Sequence, residues 1–175
     1  ADTEKADGRR VPVPKDNFQI QTSQGRDSQS PAFSDFSTVT VVFPDLGVGD
    51  TIVMSHRIVQ SEPIFPRHFD VAHSFVKDTA LDDVRISVEF PADLRVWYAS
   101  RTMKQSEDTL PGGRKRVQWQ WSNPQALLST RRDFSVVNSQ DQVGAAFSTF
   151  ENYQAIASAY GQRALPKAQA TDRVR

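Results

Sequence analysis

The chain has 175 residues, 38% of them hydrophobic, with 21 basic and 21 acidic side chains and no cysteine. A chain of this length buries about 70% of its unfolded surface and supports a real core. Balanced charge leaves no basic footprint for nucleic acid, the missing Cys removes disulfides, thiolate zinc sites and a Cys nucleophile, and no apolar run approaches the ~18 residues of a membrane span.

Leu is scarce beside Val and Phe, which favours strands, because β-branched and aromatic side chains suit a pleated, half-buried surface. No signal peptide is visible, and a start at Ala1 rather than Met reads as a cut or processed end. Asp7-Gly8 is a turn signal. Val11 and Val13 alternate with Pro12 and Pro14, which cannot donate to a ladder, so this segment is expected at a sheet edge. Phe18 and Ile20 mark a short strand, and residues 23–32 a polar loop.

Val39, Val41 and Phe43 share one face of a strand that spans Phe36 to Phe43. The turn-rich stretch Pro44 to Asp50 follows, and then Ile52, Met54, His56 and Ile58 alternate. Two such runs joined by a loop are expected to form a hairpin with a long connection. Pro63 and Pro66 bend the chain before the alternation of Phe69, Val71, His73 and Phe75. Val84, Ile86, Val88 and Phe90 give the best period-2 segment. Leu94, Val96 and Tyr98 form a further strand, residues 104–114 read as a polar loop around Pro111-Gly112-Gly113, and Val117, Trp119 and Trp121 alternate cleanly. Arg114-Lys115-Arg116 reads as a solvated turn. Phe134 to Val137 is a shorter strand candidate.

The period changes at Ser148, where Phe150, Tyr153, Ile156, Ala157 and Tyr160 take helical spacing. Ser148 and Glu151 are placed as a capping box, and Gly161 and Pro166 as stops, so one helix is expected near residues 149–160. Short strands with turns between them argue for a sandwich or a partly open barrel, and the expectation is an all-β, β-sandwich-like fold with one C-terminal α-helix. The expected organisation is a sandwich-like domain over residues 1–147, a helix packed on it over 148–165, and a linker over 166–175.

No chemistry-bearing motif stands out. His56 lies in an apolar alternation and reads as half-buried. On a strand, His68 and Asp70 share a face and His73 points away, so no metal site is expected. No Ser sits in a Gly-x-Ser-x-Gly elbow, and Gly47-x-Gly49 opens no helix. Asp82-Asp83 reads as a turn. No catalytic residue, metal or cofactor is therefore assigned. Trp97, Trp119 and Trp121 are the remaining candidates: exposed, they form a ligand-stacking platform for sugar; buried, they are core, which the alternation with Gln118 and Gln120 favours.

Three segments in order carry a resemblance: Ala6 to Val13, Phe33-Ser34-Asp35 with Val42 to Ile52, and Phe147 to Tyr153. With Ile64 to Phe69, they look like the bacterial domain of unknown function that precedes a transglutaminase-like domain, of the papain-like cysteine protease superfamily, in exported proteins. The resemblance spans roughly residues 6–160. It implies a non-catalytic β-sandwich, an exported and periplasmic setting, and a downstream transglutaminase-like domain of the same polypeptide as partner. That domain would hold a Cys-His-Asp triad, of which nothing carries over to a chain without Cys. The family usually has strands before the Asp-Gly motif, so the resemblance also implies a chain trimmed at both ends. A sheet edge left unpaired in that way would serve a homodimer.

Two readings follow. One is a non-catalytic accessory module that positions the catalytic domain or binds a protein or peptide partner. The other is a carbohydrate-binding β-sandwich that uses its Trp faces.

Overall fold

A computed structural model describes residues 1–22, 37–126 and 142–168. Among them the chain is all-β with one helix near its C-terminus, as the period-2 and period-3.6 patterns require. It divides into two compact units, Ala1–Val59 and Gln60–Arg175. The candidate strand at Phe134 to Val137, the Phe33-Ser34-Asp35 motif and the expected linker's last seven residues lie outside the described residues.

In the first unit, β1 (Asp2–Glu4) lies between β2 (Arg10–Pro12) and β5 (Thr51–Val53), both antiparallel. Pro12 is on the edge strand, where its missing N–H costs no ladder bond. Gly8, at φ 84°, makes the left-handed turn between β1 and β2. A separate ribbon pairs β3 (Phe18–Thr22) with β4 (Ser37–Val41). The sequence pattern expected β4 to pair with the run from Ile52 to Ile58. That run instead ends as a strand at Val53 and gives its edge to β1, because alternation identifies a strand without choosing its partner. His56 is consequently exposed rather than half-buried.

The second unit is a sandwich of two three-stranded antiparallel sheets. One has the order β7 (Leu81–Pro91), β10 (Arg114–Asn123), β9 (Lys104–Leu110); the other has the order β6 (Asp70–Phe75), β11 (Val143–Ser148), β8 (Trp97–Arg101). Inward residues alternate along each strand. Val117 and Trp119 from one sheet meet Val143, Ala145 and Phe147 from the other, with Phe90 and Met103 completing the buried cluster. Ring pairs cross the gap: Phe90 with Phe147 at 5.4 Å, Tyr98 edge-on to Trp119 at 6.0 Å, and Phe75 with Trp121 at 6.2 Å. Such offset and edge-on pairs contribute about 0.5–1.5 kcal/mol each beyond their buried area.

Strand β9 corrects the expected polar loop at 104–114. Its inward positions are Gln105 and Glu107, opposite Trp119 and Val117. Gln105 Oε1 accepts from the Trp119 indole N–H at 2.9 Å, and Glu107 accepts from the Tyr98 hydroxyl at 2.6 Å. The strand thus serves as a polar rim to an aromatic core, and hydrophobic alternation cannot reveal it. Gly112 (φ 75°) and Gly113 (φ 68°) turn the chain from β9 into β10. Strand β11 escaped the pattern for another reason: its small residues include Gly144, where an added Cβ would lie 2.5 Å from the His73 carbonyl oxygen of β6.

Helix α1 runs from Tyr153 to Ala164. Its cap is Asn152, whose Oδ1 accepts from the Ala155 N–H at 2.9 Å, and not the expected Ser148 box. Ser148 is held as the last residue of β11, paired with Asp70 and Trp97, and its Oγ accepts from the Phe150 N–H instead. The helix buries no residue; Arg163 ties it to the unit by donating to the Ile64 carbonyl at 2.6 Å.

Replacing Trp119 by Ala removes a ring that is 1% exposed and orphans the Gln105 carbonyl. It is expected to cost about 3–5 kcal/mol in urea unfolding. A loss within 1 kcal/mol, on the order of a surface substitution, would contradict this core.

Candidate functional site

The motif segments are brought together in pairs, one pair in each unit. In the first unit, the Ala6-Asp7-Gly8 turn meets the Pro44 to Asp50 loop through Lys5. Its Nζ donates to Asp50 Oδ2 at 2.7 Å and to the Asp45 carbonyl at 2.5 Å, with Asp45 Oδ2 at 3.3 Å. Asp50 also accepts from two backbone N–H groups, Ala6 on Oδ1 at 3.2 Å and Gly47 on Oδ2 at 2.8 Å. Fully buried Thr3 donates to the Pro44 carbonyl at 2.9 Å. Asp45 at φ 50° and Gly49 at φ 93° give the loop its left-handed bends.

The hydrogen bond from Lys5, then the Gly47 and Ala6 amides, hold the Asp50 carboxyl below its ordinary range. Asp50 in turn, with Asp45, raises Lys5. The 5%-exposed Asp50 side chain accepts from three protein donors, two on Oδ2 and one on Oδ1. This arrangement fixes the loop against the turn.

In the second unit, the Phe65 to Phe69 segment meets the start of α1. The His68 ring stacks on Phe150 at 4.0 Å and 10°, and Phe65 meets Phe150 edge-on at 5.6 Å. His68 Nδ1 lies 3.3 Å from Thr149 Oγ1, which accepts from the Phe69 N–H at 2.8 Å. The Thr149 N–H donates to the Phe69 carbonyl at 2.9 Å. Arg67, at φ 65°, makes the bend. His68 therefore lies before β6, on an aromatic stack, and does not share a strand face with Asp70. No group of three His, Asp or Glu is placed to hold a metal among the described residues.

The three tryptophans do not form one platform. Trp119 is sealed in the core with no face open to a ligand, which removes it as a stacking residue: the alternation turns it inward together with half-buried Trp121, against Phe75. Trp97 is half-buried under the Arg95 guanidinium, 5.3 Å from its ring centre.

One surface is open and apolar. In the β3–β4 ribbon, Phe18 pairs with Val41 and Ile20 with Val39 on one face, while Gln19, Thr40, Gln21 and Thr38 occupy the other. Phe18 is 41%, Val39 56% and Ile20 70% exposed. An isolated two-stranded ribbon is marginal in water, and an uncovered apolar face on one marks a contact surface. The alternations were legible in the sequence; that nothing in the described chain covers them was not.

The chain belongs to the family DUF3857, a domain of unknown function with a solved structure, whose model matches residues 1–127. A search of curated proteins finds no match. Among solved structures, the chain is similar to a protein of Parabacteroides distasonis named a "putative protease", with TM-score 0.71 and 19% identity. The match covers 93% of this chain and 32% of that one, so the chain spans about a third of the neighbour's length. At this identity the likeness concerns the fold.

The Lys5–Asp50 joint has a defined pH response. A depressed carboxyl stabilises the fold above its unfolded value, near 3.8, and that contribution is lost as pH falls through the lower folded value. A raised Lys contributes fully below 10.5 and loses its share as pH rises through the folded value. Protection of the Ala6 and Gly47 amides, relative to the intrinsic exchange rate at each pH, is therefore expected across the wide range between, with its loss only in strong acid or strong base. Asp50→Asn should speed both exchanges at neutral pH; unchanged protection would refute the joint.

Proposed function

We infer that this domain is a non-catalytic accessory module of an exported, periplasmic protein, and that it positions a transglutaminase-like catalytic domain of the same polypeptide. The observation that carries this is the open apolar face of Phe18, Ile20 and Val39. Burying such side chains is favourable by about 25 cal/mol per Å2, so a domain surface that covers them gains directly. The described residues also supply hydrogen-bonded joints, Lys5 to Asp50 and His68 to Thr149, and rigid joints suit a positioning role. The fold also recurs as one part of a chain about three times longer whose name is that of a protease.

The test is binding in trans. The transglutaminase-like domain from the same gene, expressed separately, is titrated calorimetrically with the module. Ile20→Asp with Val39→Asp is expected to weaken binding by about thirtyfold, the loss of roughly 2 kcal/mol typical of a central apolar contact. Unchanged affinity in a variant with a native circular dichroism spectrum would sink the assignment of this face. The isolated module is also expected to show no turnover on peptide, ester or glutamine-amide substrates; hydrolysis that co-purifies with the chain and disappears in His68→Ala would overturn its non-catalytic character.

A further inference from the structure

The tryptophans face inward, and that same alternation turns a row of amides outward. On the outer face of the β7–β10–β9 sheet, Gln120 is paired with Arg85 on one side and Lys104 on the other. The next outward row is Ser87, Gln118 and Ser106. Of these, Arg85, Lys104, Ser106, Gln118 and Gln120 line a trough of about 600 Å3. Its amides and hydroxyls stand on a grid of about 4.8 Å between strands and about 7 Å along each strand.

Two features distinguish this trough from an ordinary solvated face. First, one end is pre-organised. Asp83 accepts from Arg85 Nε at 3.1 Å and from Gln120 Nε2 at 3.4 Å, which fixes both side chains. Second, its other outward side chains are unengaged: among the described residues, Lys104, Ser106 and Gln118 make no side-chain hydrogen bond or ion pair, although Gln118 is half-buried. Gln118 offers two donors and an acceptor, Gln120 its acceptor and the N–H not given to Asp83, and a Ser hydroxyl a donor and an acceptor, as the hydroxyls of a sugar require. Lys104 offers a cation with donors and no acceptor, and Asp83 already neutralises Arg85. The matching ligand is rich in hydroxyls and carries a carboxylate.

We propose that this trough binds an acidic saccharide of the uronate type, with Gln118, Gln120 and Ser106 reading hydroxyls and Lys104 reading the carboxylate. The proposal does not depend on the positioning role. It needs no aromatic platform: the selectivity comes from hydrogen bonds and one charge.

The probe is a short galacturonate oligomer, with the neutral galactose oligomer beside it, titrated into the isotopically labelled full chain and followed by NMR. The side-chain amide signals of Gln118 and Gln120 are expected to shift saturably with the uronate, and more weakly with the neutral sugar. Lys104→Gln is expected to reduce uronate affinity about tenfold, as loss of a charge-assisted hydrogen bond does, and to leave the neutral sugar unaffected. Gln118→Ala with Gln120→Ala is expected to abolish both, while an unchanged backbone spectrum reports an intact sheet. No shift at tens of millimolar sugar, shifts centred away from β10, or equal loss of both sugars in Lys104→Gln would each overturn the proposal.

Discussion

The second unit rests on closing two small sheets over one indole. Three strands a side give little apolar area, so the ring at position 119 supplies a large share of what is buried. A buried indole also carries an N–H that must be bonded, and this fixes what its neighbour must be. Gln105 meets that need from the adjacent strand. The same logic extends along the rim: Tyr98, reaching from the opposite sheet, needs an acceptor and finds Glu107, which Lys115 then balances. The bond from Lys115, then that from Tyr98, holds the Glu107 carboxyl below its ordinary range. An aromatic core has thus imposed a polar border that bridges the sheets.

That border explains where the sequence was legible and where it was not. β7 and β10 alternate large apolar with polar residues, and both strands lie where the pattern places them. β9 has polar residues on both faces, because its inward ones serve Trp119 and Tyr98 rather than fill space. β11 has inward residues that include Val143 and Phe147, but Gly144 and two alanines dilute the signal. There the backbones of β6 and β11 approach too closely for a side chain at 144, so the geometry that makes the strand central also hides it. The helix was visible from its period and misplaced at its start, since Ser148 had two roles open to it and the sheet ladder took precedence.

The candidate surfaces were less legible than the fold. Periodicity marks which residues share a face, but not whether another element covers that face. The alternation of Trp119 and Trp121 with Gln118 and Gln120 suggested core, yet the functional weight of the pattern lies with the glutamines, which composition gives no reason to single out. The motif segments, by contrast, locate joints. Lys5 draws no attention in the sequence, although it stitches the Asp7-Gly8 turn to the loop ending at Asp50. The Thr149 hydroxyl does comparable work between Phe69 and His68.

The charges on β9 have one more effect. Among the described residues this strand is a sheet edge, hydrogen-bonded to β10 on one side, and edges of that kind template the stacking of further strands. Lys104, Glu107 and Asp108 occupy it, with no run of apolar residues. A parallel, in-register copy of the strand would set each of these charges against its own kind at the inter-strand spacing of about 4.8 Å. The polar rim that closes the core therefore also discourages amyloid-like growth from this edge, so that solubility and internal packing are served by the same seven residues.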